Sequence, residues 1–201
     1  MEIIQTLFKK IKYTKTNYLI DKHIRNKKNV LLELGSGNKK GTNGWLTIDQ
    51  RELCDLFWDL NNGIPFPNES VKKIYSSHFF EHLTYKEGQK LLDDCYRVLV
   101  KGGEFSICVP NAKIYIDAYI NSELDNNKFI TWEHAYNNTT KIDYINYMAY
   151  MDGVHKYMFD KENLIHILSN KGFKDVTLRK FDNQIDLKER DYESIYAIGI
   201  K

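Results

Sequence analysis

The chain has 201 residues, 42% of them hydrophobic and 28% charged, which suits one globular domain with a substantial core and argues against disorder or a two-domain enzyme. Its 29 Lys and Arg against 27 Asp and Glu leave a formal charge of +2, too weak a chain-wide field to make nucleic acid the main partner. No apolar run approaches the roughly 20 residues of a membrane span, no secretory signal is visible, and Cys54, Cys95 and Cys108 form no C-x-x-C pair, so a cytoplasmic protein with reduced thiols is expected.

Residues 1–28 carry eight Lys or Arg against Glu2 and Asp21, so this segment holds +6 and the remainder −4. Ile3, Ile4, Leu7, Phe8 and Ile11 recur at helical spacing, as do Leu19, Ile20 and Ile24, predicting one or two amphipathic helices laid over the domain. A solvated basic face is the plain interpretation, and peripheral contact with an anionic membrane is the functional one. Residues 29–34 (NVLLEL) form a short apolar run ending in Gly35-Ser36-Gly37, as a buried parallel strand feeding a glycine turn does. A second strand is expected at 45–49 (WLTID) after an unusually brief crossover, and a third at 71–75 (VKKIY).

Thr84 and Glu87 make a capping box that opens a helix with Leu91, Leu92, Cys95 and Leu99 inward, closed by Lys101-Gly102-Gly103. The next strand is 105–109 (FSICV), stopped by Pro110. Asp160 caps a helix that Gly172 ends, and the last two strands are expected at 174–179 and 194–200. Strands alternating with helices imply an α/β domain on a mainly parallel sheet, residues 29–201, into which 111–156 is inserted as a small cap.

In such a sheet the ligand site lies beyond the carboxyl ends of the strands, so the residues just after each run matter most. These are Glu33 to Asn38, Asp49, Ser76-Ser77-His78 and Pro110-Asn111. A dinucleotide fingerprint fits poorly, because Lys40 occupies its third glycine position and Asp49 follows Gly37 too soon. His78-Phe79-Phe80-Glu81-His82 matches the H-x-x-E-H zinc-hydrolase pattern, but it begins where a strand ends, and no distal acidic third ligand presents itself. No metal is expected, and a zinc hydrolase using His78, Glu81 and His82 is the minor alternative.

LLELGSGN, WLTID, DLNNGIPFPNESVKKIYSSHFFEHL and LLDDCYRVLVKGGEFSICVPN together resemble the class I S-adenosylmethionine-dependent methyltransferases, in a small branch with a shortened first helix. The likeness extends to HKYMFDKENLIHILSNKGFKDV near the end. It implies a three-layer Rossmann-like sheet, mainly parallel with an antiparallel last strand. It implies further that Glu33, Leu34, Gly35, Ser36, Gly37 and Asn38 wrap the methionine part of the cofactor and that Asp49 binds the ribose. By the same likeness Gln50 lies beside the adenine, Asp59 and Leu60 hold its edge, and Ser77 and His78 face the cofactor.

Methyl transfer to a hydroxyl needs a base, and His78 and His155 are the candidates. The cap holds Tyr115, Tyr119, Trp132, His134, Tyr136, Tyr144, Tyr147, Tyr150 and Tyr157, rings suited to a sugar or planar acceptor and equally to a homodimer interface. The expected reaction is methylation of an oxygen or nitrogen of a small molecule, with a sugar or glycan precursor as one class. A module that binds the cofactor without transferring its methyl group is the second alternative.

Overall fold

A computed structural model describes residues 2–25, 29–121, 126–136 and 140–201. The elements in chain order are α1 (Glu2–Arg25), β1 (Val30–Leu34), β2 (Trp45–Asp49), β3 (Leu56–Phe57), β4 (Val71–Ser77), α2 (Tyr85–Val98), β5 (Leu99–Pro110), α3 (Ala112–Asn121), α4 (Asn126–Phe129), α5 (Ile142–Tyr150), α6 (Lys161–Asn170), β6 (Lys174–Leu178) and β7 (Ser194–Ile200). Seven strands form one sheet in the order β3-β2-β1-β4-β5-β7-β6, parallel throughout except that β7 runs antiparallel to both neighbours. The architecture is the Rossmann-like one expected.

β1 is buried at four of its five positions, which explains its apolar run: helices and loops cover both faces of a parallel sheet. No helix separates β1 from β2. The loop between them is held by Asp55, whose carboxylate accepts the Gly41 and Thr47 N–H groups at 2.9 and 3.1 Å and the Thr47 hydroxyl at 3.0 Å. The capping box forms as predicted, with the Thr84 hydroxyl accepting the Glu87 N–H and the Glu87 carboxylate accepting the Thr84 N–H. Gly102 and Gly103 do not close α2, which ends at Val98; they lie within β5, where Gly102 takes φ +73. Tight packing of Val98 and Leu99, both fully buried, carries the chain directly from helix into strand.

The N-terminal segment is a single helix that contacts the domain from Lys12 onward. Thr16 donates to the Phe57 carbonyl at 3.0 Å, Tyr13 lies 4.5 Å from the Trp58 ring, and Ile20 is buried, so α1 covers the exposed edge at β3. Leu7 and Ile11 stay more than half exposed, because β3 is two residues long and offers no surface to the first turns. The side chains of Ile3, Ile4 and Phe8 lie outside the described residues. Among the described residues no helix is long and apolar enough to cross a membrane.

The cap has its own small core of Ala112, Tyr115, Ile130, Tyr147 and Met148, with Tyr115 and Tyr147 stacked at 5.8 Å. Its two ends are stitched together: Ala112 N–H donates to the Phe159 carbonyl at 2.8 Å, and Asn111 bridges to Phe159. Part of the tyrosine excess is therefore packing, while Tyr119, Trp132 and Tyr150 remain exposed. The side chain of His134 lies outside the described residues.

Candidate active site

A cavity of about 530 Å³ opens at the carboxyl ends of β1, β2 and β4, where the strand order reverses between β1 and β4. After β1 the chain turns through Gly35 at φ +63 and Gly37 at φ +67. A β-carbon on Gly35 would overlap the Phe79 ring, whereas Gly37 faces open space. The N–H groups of Gly37 and Arg51 donate to the two Asp49 oxygens at 2.8 and 3.0 Å, so the backbone fixes this carboxylate while each oxygen keeps a further acceptor position. Glu33 pairs with Lys39 at 2.7 Å; burial pushes its carboxyl up and the ammonium opposes that. A hollow of about 80 Å³ adjoins through Asp49 and Phe79 and is lined by Gln50, Asp59 and Leu60.

The outer wall is pinned from the far end of the chain. The Tyr75 hydroxyl donates to Asp186 at 2.8 Å, and Arg179 grips both oxygens of Asp186 at 2.6 and 2.8 Å. That clamp holds the segment whose Ile185, Leu187 and Arg190 close the cavity.

β4 runs through Ser77 into His78, a non-glycine residue at φ +47 whose N–H donates to the Cys108 carbonyl at 2.9 Å. One 3-10 turn follows, Phe80–His82. The Lys156 and Tyr157 N–H groups both donate to the Glu81 carbonyl, at 2.8 and 3.2 Å, which draws His155 beside the turn. Glu81, His82 and His155 then present ligand-type atoms within 4.8 Å of one another. Glu81 Oε1 lies 3.7 Å from His82 Nε2 and 3.8 Å from His78 Nδ1, and Oε2 is buried with no hydrogen-bond partner.

Burial pushes the Glu81 carboxyl up to about 8, and burial, followed by the nearby Arg190 charge, drives His78 down to about 3. Burial also lowers His82 and His155. Beyond this cluster a second cavity of about 360 Å³ lies under the cap, with Trp132, Tyr147 and Tyr192 in its wall. His78, His82, Val154 and Arg190 line both cavities.

Residues 54–107 match a methyltransferase-domain family. The match spans about a quarter of the chain, and with the fold it makes the chain similar to the class I S-adenosylmethionine-dependent methyltransferases. A methyltransferase from Archaeoglobus fulgidus is 18% identical with a TM-score of 0.52, over 98% of this chain and 99% of that one. One from Mesorhizobium loti is 17% identical with a TM-score of 0.52, over 86% and 90%. A Haemonchus contortus phosphoethanolamine N-methyltransferase 2, solved with S-adenosylmethionine, is 12% identical with a TM-score of 0.50, over 92% of this chain and 52% of that one. These likenesses concern the fold. No curated protein matches the sequence.

Glu33, Gly35, Ser36, Gly37, Asp49, Ser77 and His78 line the large cavity, while Gln50, Asp59 and Leu60 line the smaller one. Leu34 is fully buried in the core and lines neither, and the Asn38 side chain is turned away to accept the Leu53 N–H at 3.0 Å. His155 stands in the cap cavity only. Sequence reasoning missed Lys39, Tyr75 and Arg190 as wall residues, and it did not join His155 to Glu81 and His82. Lys39 directly follows the glycine turn and was findable; Arg190 sits in a stretch with no motif.

Proposed function

We propose that the methyltransferase moves a methyl group from S-adenosylmethionine to an oxygen or nitrogen of a small molecule held under the cap, with a sugar or glycan precursor as the favoured class. The observation that carries this is the pair of cavities sharing one wall of His78, His82, Val154 and Arg190. The cofactor, when bound, supplies a methyl group on a positively charged sulfur, so the protein's task is alignment and handling of one proton. The aromatic wall at Trp132, Tyr147 and Tyr192 supports a saccharide, since rings with polar tips stack on a sugar face and bond at its rim.

The large cavity's donor set suits S-adenosylmethionine. Asp49 has acceptor positions left for a ribose diol, the Glu33 carboxylate offers a partner for the methionine ammonium, and the flat hollow at Gln50, Asp59 and Leu60 takes an adenine edge. His78 and His155 are the proposed proton acceptors, both neutral at pH 7. His78 stands on the shared wall but is a weak base at about 3, whereas His155 commits Nδ1 to the Met148 carbonyl at 2.9 Å and keeps only Nε2.

Binding to the native state alone raises stability by RT ln(1 + [L]/Kd), so S-adenosylhomocysteine at about 100 times its Kd should add about 2.7 kcal/mol, read as a thermal shift of several degrees, and NAD should add none. A flat response to S-adenosylhomocysteine refutes the cofactor assignment. Transfer of labelled methyl in a screen of hydroxyl and amine acceptors identifies the acceptor atom.

A further inference from the structure

The environment of Glu81 is unbalanced in a way the methyltransferase reading does not use. His82 Nδ1–H donates to the Val154 carbonyl at 3.1 Å and His155 Nδ1–H to the Met148 carbonyl at 2.9 Å, since a carbonyl can only accept. In the neutral tautomer that these bonds select, Nε2 of each ring carries the lone pair. The Ser194 hydroxyl spends its hydrogen on the Arg190 carbonyl at 2.6 Å, so at 2.7 Å it must accept from His78 Nε2–H, leaving His78 Nδ1 bare as well.

Two of these bare nitrogens, His78 Nδ1 and His82 Nε2, stand 3.8 and 3.7 Å from the same Glu81 oxygen, and the other Glu81 oxygen is buried without a partner. Lone pairs that face a buried carboxylate repel it unless something positive stands between them. Arg190 is near enough to act on His78, Glu81 and His82, yet Glu81 Oε2 has no hydrogen bond from it. One proton on Glu81 could satisfy a single imidazole and would leave the others facing an oxygen.

We propose that Glu81, His82 and His155 bind one divalent transition-metal ion, with His78 beside it on the cofactor side. Two imidazoles and a carboxylate are ligands suited to zinc, cobalt or iron, and each ligating ring is oriented through its other nitrogen by a backbone carbonyl, as metal-binding histidines are. Bonds of about 2.0–2.2 Å place ligand atoms roughly 3–3.5 Å apart. The spread of up to 4.8 Å here closes by small side-chain rotations. Three protein ligands leave coordination positions for a further oxygen donor, on the wall the two cavities share. Resting on the transferase reading, this narrows the acceptor to one that presents oxygen to the ion, and it makes His155 a ligand and leaves the base role to His78.

The test uses the full chain stripped of metal with a chelator and titrated with cobalt(II), followed by its visible absorption and by calorimetry. One equivalent binding with d–d absorption is expected, with affinity falling at least 100-fold in Glu81→Gln and His155→Ala. His82→Gln, at a half-exposed position, serves as a third variant should a buried one fail to fold, and far-ultraviolet circular dichroism monitors folding in each. No saturable cobalt binding, or binding unchanged in the folded variants, overturns the site. S-adenosylhomocysteine binding is measured separately on the same metal-free chain. If it persists where cobalt does not bind, the site falls and the transferase reading stands; if it fails where cobalt binds, the reverse holds.

Discussion

The two sides of the shared wall are built on opposite principles. On the side of the larger cavity the carboxylates have partners inside the protein: Asp49 takes two backbone N–H groups, Glu33 takes Lys39, and Asp186 takes Arg179 and Tyr75. On the cap side Glu81 keeps a buried oxygen with no partner, and three imidazoles turn bare nitrogens inward. A satisfied site is shaped before its ligand arrives and loses stability when a member is removed. An unsatisfied one costs stability until its ligand arrives, so giving it hydrogen-bond donors should help the empty protein.

That contrast can be broken at three places, taken in order of size. Arg179→Ala should cost about 3–5 kcal/mol in urea unfolding, because it strands the buried Asp186 carboxylate without its counter-ion. A loss under about 1 kcal/mol would mean the outer wall is not held by this pair. Asp49→Ala should lower S-adenosylhomocysteine affinity by at least an order of magnitude, since hydrogen bonds to a charged group contribute about 1.5–3 kcal/mol, while the protein stays folded. Calorimetry showing unchanged affinity would displace the ribose from β2. Glu81→Gln should stabilise the metal-free chain by about 1–2 kcal/mol, because a neutral amide offers donors to the bare imidazole nitrogens. A destabilised variant would show that Glu81 is already satisfied.

The larger cavity was legible in the sequence because its parts are local. Each strand is a short apolar run, so Gly35, Gly37, Asp49 and His78 could be placed at the carboxyl end of the sheet, where they line one cavity, from run ends alone. The capping box at Thr84 was readable for the same reason. Gly102 was misjudged because a glycine in positive φ serves a strand irregularity as well as a helix end, and only the packing of Leu99 decides between them. The first turns of α1 looked amphipathic, yet burial depended on whether the sheet reached that far. The cluster around Glu81 was half readable: H-x-x-E-H was visible, but its remaining member arrives from 73 residues away through two hydrogen bonds to one carbonyl, which no spacing rule encodes.

Because Ala112 and Phe159 meet across the base of the cap, the sheet experiences the whole insertion as one closed loop. The entropy of closing a loop grows only logarithmically with its length, about 0.6 kcal/mol for each doubling. The cap can therefore change in length at little entropic cost to the strands beneath it, provided the hydrogen bonds of Lys156 and Tyr157 to the Glu81 carbonyl are kept.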